Sequence, residues 1–242
     1  MGALIGALLA GAGAAGSAPT KSQVDPLGSS KTRGRAADRL RELANTVRLA
    51  VFTSPSGDAQ LNAAELALAK GLAELSPKLS VEAYDVGSKE AQAYGVDKAP
   101  AVAILGEKTA RIRFFGVPGG HEFDAWVQTI QRAAARDAGL SEASRHALAS
   151  LAKPVRLQVY VTLECEFCPE MADLASRLAL ASEHVSTDII DVSLFPEWAD
   201  AVRIKAVPTL AIDGAIAFVG RRSEEDLVAA VVRAAAGGEA GK

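Results

Sequence analysis

The chain has 242 residues, of which 49% are hydrophobic and 23% charged, so it can build a real core and is not disordered throughout. Its formal net charge of −3, with no basic stripe, predicts no nucleic-acid partner. No run of about 18 consecutive apolar residues occurs, so no transmembrane span is predicted.

The first 34 residues differ in composition from the rest of the chain. Residues 1–16 are almost entirely Gly, Ala, Leu and Ile, and a polar segment follows them. We expect residues 1–34 to be an apolar arm with a flexible linker, on a cytoplasmic protein. A signal peptide over residues 1–18, and hence export, is the alternative, although no Lys or Arg precedes Lys21.

The remainder of the chain repeats itself. Two short segments recur 108 residues further on: Val47–Phe52 as Val155–Tyr160, and Ala99–Ile104 as Val207–Ile212. This spacing predicts two homologous units, over residues 35–136 and 137–242.

The second unit alternates strand and helix patterns. In chain order we predict a strand, a helix, a strand, a short helix, two strands and a helix: Val155–Val161, Met171–Ala181, Val185–Val192, Pro196–Val202, Thr209–Ile212, Ala215–Val219 and Ser223–Ala236. The crossover makes the first two strands parallel, and the turn at Asp213-Gly214 makes the last two antiparallel. The expected fold class is α/β, with a mixed sheet flanked by helices in each unit.

The chain contains two cysteines, Cys165 and Cys168, between the first strand and the first helix of this unit. Two thiols cannot complete a four-thiolate zinc site or a disulfide scaffold. A helix N-terminus stabilises a thiolate, which is the reactive species in disulfide exchange. We therefore predict that Cys165 is the exposed nucleophile and Cys168 the buried resolving thiol. Half of an intermolecular zinc site, or an inert pair, remains the alternative.

The strand, CxxC and helix, followed by Val207-Pro208-Thr209 ahead of a hairpin, resemble the thioredoxin superfamily. With Phe115–Phe123 and Phe195–Asp200, the two units resemble the tandem glutaredoxin-like protein disulfide oxidoreductases, from about residue 38 to 237. The resemblance implies a cis peptide bond at Val207–Pro208 beside the disulfide. It also implies that Val207, Pro208 and Thr209 bind the substrate, with the backbone of Val207 pairing with the substrate strand.

Phe52–Gln60, in the first unit, has no cysteine, although Pro100 is kept. In this the chain is similar to the N-terminal domain of the flavoprotein component of alkyl hydroperoxide reductase, in which two thioredoxin-like units share one dithiol. That resemblance implies a thioredoxin-reductase-like flavoenzyme as electron donor and a peroxiredoxin as a second candidate acceptor.

Glu164 and Glu166 flank the nucleophile, where relatives often carry uncharged residues. Because carboxylates oppose the formation of a nearby thiolate, we expect them to make Cys165 less acidic and the pair more reducing. Thioredoxin carries a buried Asp beneath its dithiol, whereas the comparable stretch here offers only Val159.

The expected function is thiol–disulfide exchange with disulfide-containing proteins, within cell redox homeostasis. A dedicated electron relay from a flavoprotein reductase to a peroxiredoxin is the first alternative. A protein-binding module that uses the groove near Pro100, with the dithiol secondary, is the alternative from another class. No metal or organic cofactor is expected, because the cysteine pair itself carries two electrons.

Overall fold

The structure is a computed structural model that describes residues 27–105 and 110–238. The predicted arm to residue 26, and with it the alternative signal segment, lies outside the described residues. In the part of the chain that is described, no helix is both long and apolar enough to cross a membrane.

The described ranges contain eight strands and eight helices. The strands are β1 (Val47–Thr53), β2 (Leu79–Asp85), β3 (Ala101–Leu105), β4 (Ala110–Phe115), β5 (Val155–Val161), β6 (Val185–Asp191), β7 (Thr209–Ile212) and β8 (Ala215–Val219). The helices are α1 (Ser30–Leu40), α2 (Ala59–Ala73), α3 (Lys89–Tyr94), α4 (Glu122–Ala135), α5 (Glu142–Ala149), α6 (Cys168–Ala181), α7 (Pro196–Ala201) and α8 (Glu224–Ala235).

Both units have the same four-stranded pattern, and the predicted class of tandem thioredoxin-like units is confirmed. Their sheets are joined into one, in the order β2-β1-β3-β4-β6-β5-β7-β8. The junction is the parallel pairing of β4 with β6, from Ile112 opposite Thr187 to Phe115 opposite Ile190. The repeat pattern alone did not predict this continuous sheet.

The predicted elements of the second unit agree closely with the structure. The one larger difference is helix α6, which begins at Cys168 instead of the predicted Met171, because its apolar periodicity starts only after the first turn. Two further helices, α1 and α5, were not predicted. Helix α1 begins inside the stretch assigned to the arm, where the Ser29 hydroxyl accepts a hydrogen bond from the Thr32 N–H at 3.2 Å.

A buried ion-pair cluster fastens the two units together at the β4–β6 junction. Asp188 on β6 is fully buried and binds Arg113 of β4 through one carboxylate oxygen and Arg156 of β5 through the other, both at 2.5 Å. Arg113 also donates to the Tyr94 carbonyl at 2.9 Å. The first unit therefore places a buried cation directly on a carboxylate of the second.

Candidate active site

The cysteine loop and the loop before β7 lie at the same edge of the sheet. Strand β5 ends at Val161, four residues before Cys165, and pairs antiparallel with β7, so that Tyr160 is opposite Thr209. Antiparallel pairing brings the end of one strand to the start of the other. The cysteines and Val207–Pro208 are thus presented from adjacent strands.

Cys165 and Cys168 form a disulfide, with their Cα atoms 5.4 Å apart. Cys168 is fully buried, whereas Cys165 is partly exposed, as the predicted roles of resolving and attacking thiol require. The loop is closed by two backbone hydrogen bonds, from the Cys165 N–H to the Thr162 carbonyl at 3.2 Å and from the Cys168 N–H to the Cys165 carbonyl at 3.4 Å.

The N-terminus of helix α6 carries no side-chain cap. Its first-turn N–H groups therefore donate no hydrogen bond to a side chain, and the one carboxylate of that turn, Glu170, binds Arg221 instead. Free N–H groups at a helix N-terminus favour a thiolate on the adjacent sulfur. The equivalent helix of the first unit differs, because Asp58 caps α2 by accepting from the N–H groups of Gln60 and Leu61 at 2.8 and 3.1 Å. A fixed carboxylate thus occupies that position in the unit without cysteines.

The loop before β7 contains the predicted cis peptide bond at Val207–Pro208, and Ala99–Pro100 is also cis. The Pro208 carbonyl accepts from the Gly220 N–H at 2.7 Å, and the buried Thr209 hydroxyl donates to the Ala206 carbonyl at 2.6 Å. Thr209 thus closes the loop internally. The Val207 backbone forms no hydrogen bond with any other described residue, so both its N–H and its C=O are free to pair with an incoming strand.

The rim of the disulfide carries one exposed aromatic ring. Phe167, between the cysteines, is 54% exposed. The Arg221 guanidinium lies 4.9 Å from the centre of this ring and binds both carboxylate oxygens of Glu170, at 2.9 and 3.1 Å. Arg221 therefore ties the cysteine helix to the segment that follows β8.

Glu164 and Glu166, the predicted modulating carboxylates, are both exposed on the cysteine loop. Glu164 also acts on Asp191, which pairs in register with Val161 at the end of β6. Burial raises the pKa of Asp191, hydrogen bonds from Ser193 lower it, and the charge of Glu164 adds a smaller increase. The exposed carboxylate of Glu164 therefore acts electrostatically on the buried carboxyl of Asp191 at the end of β6.

A buried carboxyl from the first unit lies next to the cysteine loop, and it was not predicted from the sequence. Glu122 begins helix α4, whose preceding residue His121 donates its N–H to the Leu163 carbonyl at 2.9 Å. The Glu122 side chain and Ala172, one turn after Cys168, line the same small void. Burial, followed by the charge of Asp191, raises the pKa of Glu122 to about 8, and its Oε1 atom has no hydrogen-bond partner in the described ranges.

The sequence did not identify Glu122 as a candidate site residue, because its position at the start of a helix suggests an ordinary capping role. A carboxylate in the first turn of a helix is ordinarily an exposed residue that complements the helix dipole. The available signal was its place in the Phe115–Phe123 match to the tandem family, together with Val159 in the stretch where thioredoxin carries its buried Asp. The packing of the two units, which the repeat does not encode, brings this carboxyl close to the cysteine loop and to helix α6.

We expect the Glu122→Gln substitution to flatten part of the pH dependence of stability. The folded protein keeps a proton on Glu122 that the unfolded chain releases between pH 4.5 and about 8, so the free energy of unfolding falls as the pH rises through this window. The contribution to the slope is at most about 1.4 kcal/mol per pH unit. Urea unfolding of wild type and variant across this range measures it, with Glu42→Gln as an exposed control. If the free energy of unfolding depends on pH in the same way for Glu122→Gln and wild type, the prediction is contradicted.

No group of three or more His, Cys, Asp or Glu side chains within residues 27–105 and 110–238 is arranged to hold a metal ion. The reactive groups that the described site presents are the sulfur pair and, close to the cysteine loop, the buried carboxyl of Glu122.

Comparison with known proteins supports the same chemistry. The sequence profile of a family described as "Thioredoxin domain" matches residues 155–233. A protein disulfide oxidoreductase from Aeropyrum pernix is 29% identical, with a TM-score of 0.79, covering 87% of this chain and 95% of its own. The NTD_N/C domain of the alkyl hydroperoxide reductase AhpF from Enterococcus faecalis is 26% identical, with a TM-score of 0.75, covering 83% and 98%. The predicted resemblance is thereby confirmed.

Curated relatives extend well beyond this chain. The alkyl hydroperoxide reductase AhpF from Pseudomonas aeruginosa is 25% identical over 131 residues, which are 54% of this chain and 25% of that protein. An NADH dehydrogenase from Bacillus subtilis is 24% identical over 166 residues, 68% and 30% of the respective chains. The chain therefore spans about a quarter to a third of the curated relatives it matches.

Proposed function

We propose that this thioredoxin-fold disulfide oxidoreductase reduces disulfide bonds in other proteins through Cys165 and Cys168. The observation that carries the proposal is the disulfide itself, since it joins a partly exposed and a buried sulfur at an uncapped helix N-terminus. A backbone segment free to pair with substrate, at Val207, lies on the neighbouring strand.

The reaction proceeds by two exchanges at sulfur. In the reduced protein the Cys165 thiolate attacks one sulfur of a substrate disulfide, whose bond breaks so that the other sulfur leaves as a thiolate. The Cys168 thiolate then attacks the Cys165 sulfur and releases the second substrate thiolate. The protein pair ends oxidised, the substrate gains two electrons, and its two thiolates take up two protons from water or nearby acids.

Two features near the cysteines assist these two exchange reactions. Substrate pairs with the free N–H and C=O of Val207, while Pro208 and the internally bonded Thr209 hold that loop in shape. Glu122 lines the same void as Ala172, which lies one helical turn after Cys168, and its pKa of about 8 is close to that of a thiol. Its ionised form therefore accepts the resolving thiol's proton as Cys168 becomes nucleophilic.

A dedicated relay to a peroxiredoxin is the second candidate, with a thioredoxin-reductase-like flavoenzyme as donor. Similarity to the alkyl hydroperoxide reductase AhpF over 83% of this chain favours it. The binding-module alternative is disfavoured by the surroundings of Pro100. Lys98, two residues before it, binds Glu197 at 2.6 Å and lies over the Trp198 ring, so helix α7 of the second unit already engages this loop.

The direct test is catalysed reduction of insulin disulfides, with dithiothreitol as donor. We expect turnover by wild type and none above background by the Cys165→Ser/Cys168→Ser double variant; equal rates would refute the proposal. Reduction of an oxidised peroxiredoxin, measured in parallel, separates the candidates, because a dedicated relay reduces the peroxidase rapidly and insulin poorly.

We expect Glu166→Gln to lower the pKa of the Cys165 thiol in the reduced protein. Removing a nearby negative charge favours the thiolate, and it should make the pair less reducing. Titration of thiolate ultraviolet absorbance measures the midpoint, with Glu142→Gln on helix α5 as a control far from the cysteine loop. An unchanged midpoint in Glu166→Gln would defeat the hypothesis.

A further inference from the structure

The loop between β4 and α4, residues 116–121, belongs to the first unit and lies against the cysteine loop of the second. The His121 N–H donates to the Leu163 carbonyl at 2.9 Å. Leu163 lies inside the turn that is closed by the hydrogen bond from the Cys165 N–H to the Thr162 carbonyl. The unit without cysteines is therefore bonded to the backbone two residues before Cys165.

Gly120 makes the closest approach in this contact. Its φ of +53° lies in the left-handed region that favours glycine. A Cβ atom at this position would lie 2.5 Å from the Leu163 carbonyl oxygen and 3.0 Å from the Leu163 Cβ. Because the nearest atom belongs to the backbone, a side chain at residue 120 has to displace either this loop or the turn before Cys165.

The other end of the same loop also packs closely on the second unit. A Cβ atom at Gly116 would lie 3.0 Å from the Cβ of Asp191, at the end of β6. The corresponding loop of the second unit, between β8 and α8, begins with Gly220, where a Cβ atom would meet no described atom within 4 Å. The close packing therefore comes from the contact between the two units and not from the type of loop.

We infer that Gly120 is a positioning residue for Cys165. Its lack of a side chain, together with the His121 N–H, holds the turn at Leu163 and so keeps the Cys165 sulfur at the uncapped N-terminus of α6. A helix N-terminus favours the thiolate only of a sulfur that is held beside it. The inference rests on the proposed exchange at Cys165, and it gives the first unit a part in that exchange that needs no cysteine of its own.

Gly120→Ala tests the inference on the full chain, in reduced protein that also carries Cys168→Ser, so that Cys165 is its single thiol. The measurements are the rate at which this thiol attacks dithiobis(nitrobenzoate) and the midpoint of its thiolate ultraviolet absorbance. We expect the rate at neutral pH to fall at least about tenfold, because a small misplacement of a reacting group is costly. The midpoint should rise, because the sulfur moves away from the helix N–H groups.

Two other glycines provide matched controls in the same Cys168→Ser background. Gly139→Ala imposes similar backbone strain, since its φ is +63°, but its Cβ would meet no described atom within 4 Å. Gly119→Ala adds a methyl group to the same loop at ordinary contact distances, 3.8 Å from the Val117 carbonyl oxygen and 3.9 Å from the Leu163 Cδ1. Both controls should keep the rate and the midpoint of the parent.

A Gly120→Ala protein with the rate and the midpoint of the Gly139→Ala control would overturn the inference. This comparison needs no protein substrate, whereas failure of the proposed function would appear separately, as a lack of insulin reduction by wild type.

If Gly120→Ala does not fold, amide hydrogen exchange in the wild-type chain decides the matter. His121 is exposed and precedes the first turn of α4, so its N–H has no partner within the helix. We expect this N–H to be protected by its bond to the Leu163 carbonyl. Exchange at the rate of an unbonded amide would overturn the inference.

Discussion

Replacing Cys165 with serine is expected to abolish catalysed disulfide reduction, whereas replacing Cys168 should stop the cycle one step later. Without Cys165 no partly exposed sulfur remains to attack a substrate, because the Cys168 sulfur is fully buried. Without Cys168 the first exchange still occurs, but the mixed disulfide at Cys165 is not resolved. Insulin reduction should fall to background in both variants, and only Cys168→Ser should accumulate a covalent adduct.

The first unit provides a matched control. Ser56→Ala changes the equivalent loop, which carries no sulfur and whose helix is capped by Asp58. The Ser56→Ala variant should reduce insulin at the rate of wild type. Residual turnover by Cys165→Ser, or an adduct on that variant, would show that the roles of the two sulfurs are misassigned.

Replacing Asp188 with asparagine is expected to cost more stability than any other substitution proposed for this protein. The change removes the charge that balances Arg113, which is 9% exposed, and leaves that guanidinium buried beside a neutral amide. Removing one partner of a buried pair typically costs about 3–5 kcal/mol. Arg156, whose side chain is 45% exposed, can turn to solvent, so the loss of its ion pair contributes less to the loss of stability.

Urea unfolding measures this loss, with Asp38→Asn as the matched control. Asp38 pairs with Arg41 at 3.9 Å on the surface of α1, where both side chains are at least 70% exposed. Loss of such a pair changes stability by at most about 1 kcal/mol. Equal losses in the two variants would mean that the β4–β6 junction does not depend on the buried cluster.

Much of the second unit was predictable because its signals are local. A β-branched run marked β5, the Asp213-Gly214 turn marked the hairpin of β7 and β8, and Ser223 marked the start of α8. The cysteine pair was equally visible, because its spacing and its place before a helix carry the chemistry. These features depend on residues close together in the chain.

Features that depend on contacts between distant segments were not predictable in the same way. The pairing of β4 with β6 joins segments about 75 residues apart, as the Arg113–Asp188 contact shows, and neither strand carries a signal for the other. Glu122 lies close to the cysteine loop only because the two units pack against each other. Within the second unit the comparable stretch offers only Val159, whereas the first unit supplies the buried acid.

The most direct test of the proposed function is to mix reduced Cys168→Ser protein with a protein disulfide and analyse the adduct by mass spectrometry. We expect a mixed disulfide that maps to Cys165, is released by dithiothreitol and is absent from Cys165→Ser. If no adduct forms while the variant remains folded, Cys165 does not exchange disulfides with other proteins and the proposed function is wrong.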